Sequence, residues 1–519
     1  MKKLLIVVAG FLLAGVAQAA PSTNILQYVQ RAVAARQLGH PNDLAASNKA
    51  LAAKYRKTMF GRFLTYVTYN SQSSYKEEIT SGQIETAKKL FEEIKAMGYT
   101  DAQLSEHYYL FVRVPSNLPK GQTAPILGFS GHYDVTPEVA ATGIKRENLQ
   151  IIENYRGGPI AIGKNPDGKL EVLDPDTERD AYLKELLGQT IVTADGKTNL
   201  GADNRAGLSI LMTTLQVLAE HPEKKHGEIQ LVIAPNEETG GAGDYIKEVP
   251  YRPEIAFDFD GNVKGELMTE NYYALQVICD VKGAEGHQGH AVEGSYLNHG
   301  RPSSKFVDLV YQDASLPTRF PGNSLIADEP SDIGDWVRLP EYSTGRQGYM
   351  DVHITRLQND TTRVDFRLRS FDKTDLLQLR DFIFETAQSL QARSKTFRDP
   401  ATGEVRKKLV ISCTESFTYD NIRDSAHPAS LKIATAAFNA AGVTMRPTYE
   451  RAGTTGAIFA VHGPNDKPED IIVGSYMLFT GQNNMHSYAE WLSEKDMYES
   501  FLVGLNIVDQ VVVQLGTNK

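Results

Sequence analysis

Hydrophobic residues recur with two different periods along the first half of the chain, and the changes of period predict its helices and strands. Within 83–96 the apolar positions follow helical spacing, at Ile84, Ala87, Leu90, Phe91 and Ile94. The runs at 108–114 and 126–129 are short and apolar instead, and the second has the composition of a buried parallel strand. The pattern therefore predicts a helix followed by two strands.

The same alternation continues to about residue 261 and predicts an α/β domain. After Asp203 one helical face collects the apolar residues Leu208, Leu211, Met212, Leu215 and Leu218. Strands are predicted at 228–234 and 255–259, each followed by polar residues. Strand, helix and strand in succession are typical of α/β folds, whose open sheets bind ligands at the carboxyl ends of their strands. A Gly-, Pro- and Asp-rich stretch at 143–200 is interpreted as a long irregular excursion.

The pattern changes near residue 271 and predicts an inserted α+β domain. Helical stretches near 303–313 and 374–392 are interleaved there with strands expected at 274–282, 350–357, 362–370 and 407–417. The helical α/β style returns from about residue 427. We therefore predict an extension at 20–55, a catalytic domain in two parts at 56–270 and 419–519, and a lid domain at 271–418.

The N-terminus has the pattern of a cleavable secretory signal at 1–19. Lys2 and Lys3 precede an apolar run at 4–16, and a small-residue cleavage site ends at Ala19. The run is shorter than the about 20 residues that a membrane-spanning helix needs. We predict cleavage after Ala19, export to the periplasm or the exterior, and no membrane attachment of the mature chain.

Composition excludes one class of partner and bounds the cysteine chemistry. The net charge is −10, and the basic residues form no stripe, so a nucleic-acid partner is not expected. Neither Cys279 nor Cys413 has a second cysteine at the spacing of a metal site. From the residues alone, one disulfide bridge in an oxidising compartment and two separately buried thiols both stay open.

Histidines and carboxylates gather at the predicted strand ends, where the neighbouring residues are small or apolar. These candidates are His132, Asp134, Asp203, Glu237, Glu238, Asp260 and His486. A pair of divalent metals needs a bridging carboxylate, together with a histidine and a further carboxylate for each ion. Zinc favours imidazole and carboxylate oxygen in catalytic sites. The set meets this requirement and leaves one carboxylate to act as a base.

A collinear series of fragments extends this pattern from about Arg62 to near the C-terminus. The fragments are FLTYV (63–67), GFSGHYDVTPE (128–138), ENYRGGPIAIG (153–163), LLGQTIVTADGKTNLGADNRAG (186–207), APNEETG (234–240), FDFDG (257–261), RLRSFD (367–372), ERAGTTGA (450–457) and FTGQNNMHSYAEW (479–491). In them the chain resembles the peptidase T family of tripeptide aminopeptidases, within a wider group of two-zinc peptidases and amidohydrolases. The resemblance implies a catalytic α/β/α sandwich with a mixed sheet, an inserted α+β ferredoxin-like lid, and a homodimer through that lid.

The resemblance also implies a ligand set for two Zn²⁺ ions per chain, and sites of this kind accept Mn²⁺ or Co²⁺ as well. His132 and Asp260 are the implied ligands of the first ion. Glu238 and His486 are those of the second. Asp203 is the implied bridge between both ions.

Two further carboxylates have implied roles in catalysis. Asp134 accepts a hydrogen bond from the other ring nitrogen of His132, which fixes the tautomer. Glu237 is the implied general base, which takes a proton from the attacking water and delivers it to the leaving amine. The residues alone do not distinguish Glu237 from Glu238, so this division follows from the resemblance.

Four residues are implied to contact the substrate. The resemblance assigns His287 to oxyanion stabilisation in a partner's active site and Asn298 to a substrate contact. Arg369 and Arg451 are candidates to bind the C-terminal carboxylate of the peptide, since a guanidinium binds a carboxylate with two hydrogen bonds. A surface ion pair is the alternative for each arginine.

The chain departs from the family at positions beside these residues. Thr455 stands where the family has an acid, and Asn204 and Arg205 stand where it usually has Asp and Lys. Ser-Tyr-Ala separates His486 from Glu490, where the family has a second histidine. None of these positions is an implied ligand, so metal binding is expected to persist while the peptide preference is left open.

We therefore expect an exported metallo-aminopeptidase that acts on tripeptides or other short peptides. Another amide hydrolase of the same group (a dipeptidase, carboxypeptidase or N-acyl amino acid amidohydrolase) and a non-catalytic peptide- or metal-binding protein are the alternatives. The implied ferredoxin-like order makes the first and last lid strands antiparallel neighbours. That order brings Cys279 and Cys413 within disulfide range if the strand register matches.

Overall fold

The computed structural model of the chain describes residues 41–518 apart from 285–286, 291–295, 313–339, 341–342, 358–359, 395, 399–401, 404, 408, 462–466 and 468–469. The predicted signal peptide at 1–19 and the region 20–40 lie outside the described residues. The described residues form two compact units. The catalytic unit takes the described residues within 41–269, 426–448 and 467–518, and the lid unit takes those within 270–425 and 449–461.

Most of the helices and strands that the sequence pattern predicted lie within about three residues of their observed bounds. The helices are α1 (Pro41–Tyr66), α2 (Ser81–Ala96), α3 (Ala202–Glu220), α4 (Gly300–Gln312), α5 (Lys373–Arg393), α6 (Ile422–Ser425), α7 (Ser430–Ala441), α8 (Thr455–Phe459) and α9 (Glu494–Leu515). In the described part of the chain, no helix has both the length and the apolar character that crossing a membrane requires.

The strands are more numerous than the pattern suggested, because many short ones lie between those predicted. They are β1 (Gln103–Leu104), β2 (Leu110–Val114), β3 (Gln122–Thr123), β4 (Leu127–His132), β5 (Gln150–Ile152), β6 (Ile160–Lys164), β7 (Leu170–Leu173), β8 (Ile191–Thr193), β9 (Ile229–Ala234), β10 (Ile255–Gly261), β11 (Glu266–Asn271), β12 (Tyr273–Lys282), β13 (Tyr349–Arg356), β14 (Thr361–Ser370), β15 (Thr396–Arg398), β16 (Val405–Lys407), β17 (Val410–Tyr419), β18 (Arg446–Glu450), β19 (Ser475–Phe479), β20 (Gln482–Asn483), β21 (Trp491–Ser493) and β22 (Thr517–Asn518).

An eight-stranded mixed sheet organises the catalytic unit, in the order β1-β2-β9-β4-β10-β19-β11-β18. Its centre, β9-β4-β10-β19, is parallel, whereas β1, β2 and β11 pair antiparallel with their neighbours. Every residue of β4 and β9 is buried, as expected of parallel strands covered on both faces. The mixed sheet confirms the predicted fold class.

Helix α1 belongs to the core of the catalytic unit rather than to a separate extension. It runs without a break through the predicted boundary at residue 55, and Ala52, Met59 and Phe63 are completely buried. A buried polar network also fastens it, because Lys224 Nζ lies 2.8 Å from Asn48 Oδ1 in α1 and 2.7 Å from Asp509 Oδ1 in α9. The described part of the predicted extension, 41–55, thus packs within the catalytic unit, and the domain boundary at residue 55 stays a prediction.

The stretch at 143–200 is more regular than an excursion. Strands β5 and β8 join β20 and β21 in a four-stranded antiparallel sheet, and β6 and β7 form a hairpin. Residues of the stretch share a small core with Trp491 of β21, and this core includes Tyr155, Ile160, Leu183 and Ile191. Its high Gly, Pro and Asp content reflects the many turns between these short strands.

The lid unit has the expected ferredoxin-like order, β13-β14-β12-β17, with helices α4 and α5 between the strands. Antiparallel register places Cys279 of β12 directly opposite Cys413 of β17, with their Cα atoms 4.1 Å apart, and the two form a disulfide. Of the two alternatives left open, the bridge is the one present. The described residues 449–461 pack with this unit, although the sequence assigned them to the catalytic domain.

Candidate metal centre

Three neighbouring strands of the central sheet deliver polar side chains to one edge. His132 is the last residue of β4, and Asp260 lies next to the end of β10. Glu237 and Glu238 open the short 3-10 turn that follows β9. Because β9, β4 and β10 run parallel, their carboxyl ends meet at the same edge. The topology of the sheet thus brings these four residues together.

Two ligand candidates reach this edge from outside the strands. Asp203 lies at the start of α3, where its backbone angles depart from helical geometry. His486 lies in the connection between β20 and β21 and has a φ of 55°. Asp203 is buried, whereas the side chain of His486 keeps 36% of its surface exposed.

Asp203 is placed between the two histidines. Its Oδ1 lies 3.2 Å from His132 Nε2, and its Oδ2 lies 3.5 Å from His486 Nε2. The same nitrogen of His132 is 3.4 Å from Asp260 Oδ2, and that of His486 is 2.7 Å from Glu238 Oε2. One carboxylate therefore faces two histidine–carboxylate pairs, which is the arrangement that a bridging ligand requires.

Asp134 fixes both the first histidine and the turn that carries the glutamates. It is fully buried, and its Oδ1 lies 3.3 Å from His132 Nδ1. The same carboxylate accepts the backbone N–H groups of Glu237, at 3.1 Å, and of Glu238, at 3.3 Å. A single side chain thus orients the imidazole and holds two further site residues at the sheet edge.

Burial changes the protonation of this crowded set. It raises the pKa of Glu237 to about 7 and the pKa of Glu238 to about 8. Burial also raises the pKa of Asp260 well above its usual range, and the nearby carboxylate of Asp203 adds to this effect. At Asp203 burial acts in the same direction, but the two neighbouring histidines outweigh it and hold the pKa below its usual range. Bound cations would offset the repulsion among these carboxylates.

The residues present fit a pair of divalent cations. Among the described residues, the buried ligand atoms His132 Nε2, Asp203 Oδ1 and Glu238 Oε1 have no hydrogen-bond partner. Two overlapping groups are compact enough to hold an ion, namely His132 with Glu237 and Asp260, and His132 with Asp203 and Glu238. Glu237 lies in the first group, 3.8 Å from His132 Nε2, so its role as base rather than ligand stays a prediction.

Two charged residues that the sequence analysis left without a role lie close to Asp203 along the chain or in space. Glu490 accepts the backbone N–H groups of Gly201, at 2.5 Å, and of Asp203, at 3.0 Å. The Arg205 guanidinium is buried and donates to Tyr69 O at 2.6 Å. Burial lowers the pKa of Arg205 to about 10, and the Glu490 carboxylate opposes that shift. The sequence analysis noted that Arg205 departs from the family. It could not reveal the interaction with Glu490, because Glu490 lies almost 300 residues further along the chain.

Residues 201–510 match the family described as peptidase family M20/M25/M40. The matched range covers more than half of the chain and includes Asp203, both glutamates, Asp260 and His486. The chain belongs to this family. As an M20/M25/M40 peptidase, it is a metal-dependent peptide hydrolase, which agrees with the candidate metal groups at the sheet edge.

Relatives cover nearly the whole chain. Peptidase T of Alkaliphilus oremlandii (strain OhILAs) is 30% identical over 461 residues, which are 87% of this chain and 99% of the relative. Aminopeptidase PepT from Bacillus cereus ATCC 10987 has a TM-score of 0.55 and 15% identity, over 88% of this chain and 99% of that chain. The Bacillus subtilis YXEP protein, a dinuclear metal-binding peptidase of the M20 family, has a TM-score of 0.53 and 10% identity, over 89% of this chain and 99% of that chain. The resemblance to peptidase T and the fold class are confirmed.

In the lid unit of this M20/M25/M40 peptidase, the two candidate arginines have internal partners. Arg451 donates from Nε to Tyr272 OH at 2.9 Å and from one terminal nitrogen to Ser343 O at 2.7 Å. Arg369 donates to Leu368 O at 2.9 Å, and its guanidinium lies 5.4 Å from the ring centroid of Tyr419. Their assignment to a peptide carboxylate stays a prediction.

The other two lid candidates lie at the surface. His287 and Asn298 are exposed, and Asn298 Oδ1 accepts the N–H of Gly300 at the start of α4. The ring of His287 has its centroid 4.7 Å from that of His290. Both candidates are accessible for contacts outside their own unit, and their substrate roles stay predictions.

Proposed function

We propose that this peptidase is an exported aminopeptidase that uses two zinc ions to remove the N-terminal residue from tripeptides and other short peptides. The observation that carries the proposal is the placement of Asp203, with one carboxylate oxygen towards His132 and the other towards His486. The peptidase T relative, matched over 99% of its length, supports the substrate class.

Five side chains supply the proposed ligands. His132 and Asp260 would hold the first ion, Glu238 and His486 would hold the second, and Asp203 would serve both. When bound, the pair of ions supplies Lewis acidity, which polarises the peptide carbonyl and makes water a stronger acid. Zinc accepts this set of nitrogen and oxygen ligands, and so do manganese and cobalt, which the assay below distinguishes.

Glu237 acts as the general base in this proposal. Its backbone N–H is bonded to Asp134, so the carboxylate starts from a fixed point at the sheet edge. A base works best with a pKa near the operating pH. Burial moves the pKa of Glu237 towards neutrality. The carboxylate takes a proton from the attacking water and delivers it to the nitrogen of the departing amine.

Export rests on the N-terminal pattern, and one feature of the lid supports it. A disulfide between Cys279 and Cys413 persists in oxidising compartments such as the periplasm. Fractionation of cells that express the full chain tests this step. Mature protein beginning at Ala20 in the periplasmic or culture fraction is expected, and uncleaved protein in the cytosol would contradict export.

The lid is proposed to form a homodimer in which His287 serves the partner's site. The exposure of His287 supports this role, since a residue that acts across an interface needs to be accessible in its own chain. Inactive His287→Ala chains mixed with inactive Glu237→Gln chains should regain part of the activity as heterodimers. An active monomer in light scattering would overturn this step.

A substrate panel tests the proposed function as a whole. The zinc-loaded enzyme is expected to cleave an unblocked tripeptide, to leave its N-acetylated form intact, and to lose activity with a chelator. Reloading with Zn²⁺, Mn²⁺ or Co²⁺ identifies the effective ion. Cleavage of the acetylated peptide or of a dipeptide alone would favour another amide hydrolase, and no turnover on any substrate would favour a binding protein.

A further inference from the structure

The loop that carries His486, residues 484–490, contains two residues that reach the metal centre. His486 is a proposed ligand, and Glu490 accepts the backbone N–H of Asp203. Strands β20 and β21 flank the loop and pair with each other. Strand β20 has only two residues and β21 has three, so this hairpin provides little rigidity by itself. The position of His486 therefore depends on the residues that pack against the hairpin.

The stretch at 143–200 packs against it through the strands. β21 pairs with β8, with Trp491 opposite Thr193, and β8 pairs in turn with β5. The Thr193 hydroxyl donates to the carbonyl oxygen of Glu490 at 2.8 Å. Trp491 is 1% exposed and lies in a small core with Tyr155 and Ile160, which belong to the ENYRGGPIAIG fragment. The ENYRGGPIAIG fragment, which supplies no proposed ligand, therefore forms part of the support for this hairpin.

A buried carboxylate from the same stretch reaches the loop directly. Asp180 is fully buried, and its Oδ1 accepts a hydrogen bond of 2.7 Å from Asn484 Nδ2. The same amide donates to Ala489 O at 3.2 Å and so closes the loop on itself. Asp180 is itself fixed, since its Oδ2 accepts the N–H of Asp174 at 2.9 Å and a bond from Arg179. Asn484 has a φ of 55°, a left-handed conformation that asparagine tolerates better than most residues.

We infer that the Asp180–Asn484 contact positions His486 and thereby sets how tightly the second metal ion binds. The inference rests on the proposed two-metal function. It deepens that proposal, because it assigns a purpose to residues 143–200, which supply no ligand. Residues that orient a metal ligand typically contribute 10–100-fold to metal affinity, so loss of this contact should weaken the second site by about that factor.

The test compares two asparagines with the same backbone conformation. Asn484→Gly keeps the left-handed conformation but removes the hydrogen bonds to Asp180 and Ala489, while Asn154→Gly makes the same change at an exposed residue that also has a φ of 55°. Metal-free protein is titrated with Co²⁺, and visible absorption follows the occupancy of each site. We expect two ions per chain for the native chain and for Asn154→Gly. For Asn484→Gly we expect a native first affinity and a second affinity about 10–100-fold weaker.

A second variant keeps the test decisive. Asn484→Asp places two carboxylates against each other and should weaken the second site at least as much as the glycine variant. Native affinity at both sites in both variants would overturn the inference. Equal weakening at both sites, with a matching loss of thermal stability in the metal-free protein, would also overturn it, since the contact would then serve the fold in general. A single ion per native chain would instead overturn the proposed function.

Discussion

The two halves of the metal centre rest on different kinds of support. His132 ends a buried strand, has no exposed surface, and has its second ring nitrogen next to the buried carboxylate of Asp134. His486 lies in a loop, is 36% exposed, and has its second ring nitrogen 3.2 Å from Glu138, which is 55% exposed. A ligand on a strand takes its rigidity from the sheet, whereas a ligand on a loop depends on its neighbours. The position of the histidine should therefore vary more in the second half than in the first.

The largest expected effect comes from the residue that both halves share. Asp203→Ala should lose both ions, since the missing carboxylate faces His132 and His486 alike. Elemental analysis of the purified variant should find less than one ion per chain, and turnover should fall below detection. Circular dichroism serves as the folding control. Two retained ions would exclude Asp203 as the bridge.

A change that leaves both halves intact should still remove catalysis. Glu237→Gln keeps the shape of the side chain but removes its capacity to take a proton, so turnover should fall by about 10²–10⁴-fold while KM and metal content stay near native values. Glu238→Gln is the matched neighbour and should lose the second ion instead. The opposite result, metal loss in Glu237→Gln alone, would mean that the two glutamates exchange roles.

A pair of substitutions tests the contrast between the two halves. Each replaces the carboxylate that lies next to the second ring nitrogen of His132 or His486 by the corresponding carboxamide. Asp134→Asn replaces an acceptor of two backbone N–H groups with an amide that can also donate, so it should weaken the first ion by about 10–100-fold. Glu138→Gln alters an exposed and screened contact and should change the second ion less than about threefold. Metal titrations of both variants measure this difference. Equal effects would refute the contrast between strand-borne and loop-borne halves.

The strand-borne half was also the easier one to predict from sequence. Short apolar runs identify buried parallel strands, and parallel strands place their carboxyl ends at one edge, so His132 and Asp260 follow from local pattern and topology. The loop-borne half depends on contacts between distant residues. Asn484 and Asp180 are 304 positions apart, and Asp203 and Glu490 are 287 apart. Neither pair has a local signal, and the assignment of His486 to the second ion followed from the family resemblance alone.

In the lid, too, local sequence pattern predicted the helices and strands, whereas contacts between distant residues could not be predicted. The sequence pattern predicted its four long strands and two main helices to within about three residues. Pairing of Cys279 with Cys413 required the strand register as well, and a slip of one residue would have turned one thiol to the other face. Arg451 could not be located in the lid from sequence, since its partners Tyr272 and Ser343 are more than 100 residues away.

The smallest effect on the metal centre is expected from the disulfide. Replacing both cysteines by alanine removes a cross-link that closes a sequence separation of 134 residues, and loss of such a bridge typically lowers the free energy of unfolding by about 2–5 kcal/mol. Denaturant unfolding should therefore show an earlier transition, because the bridge joins the first and last long strands of the lid.

Metal content and affinity should stay native in that variant, since both cysteines belong to the lid unit while every proposed ligand belongs to the catalytic unit. Chemical reduction of the native chain is the matched control, because it opens the bridge without removing the sulfur atoms from the lid core. If reduction gave the same shift as the alanine pair, the stabilisation would come from the cross-link. A larger shift in the alanine variant would measure the packing of the Cys279 side chain, which is fully buried. Loss of an ion on reduction would mean that the lid and the metal centre are coupled.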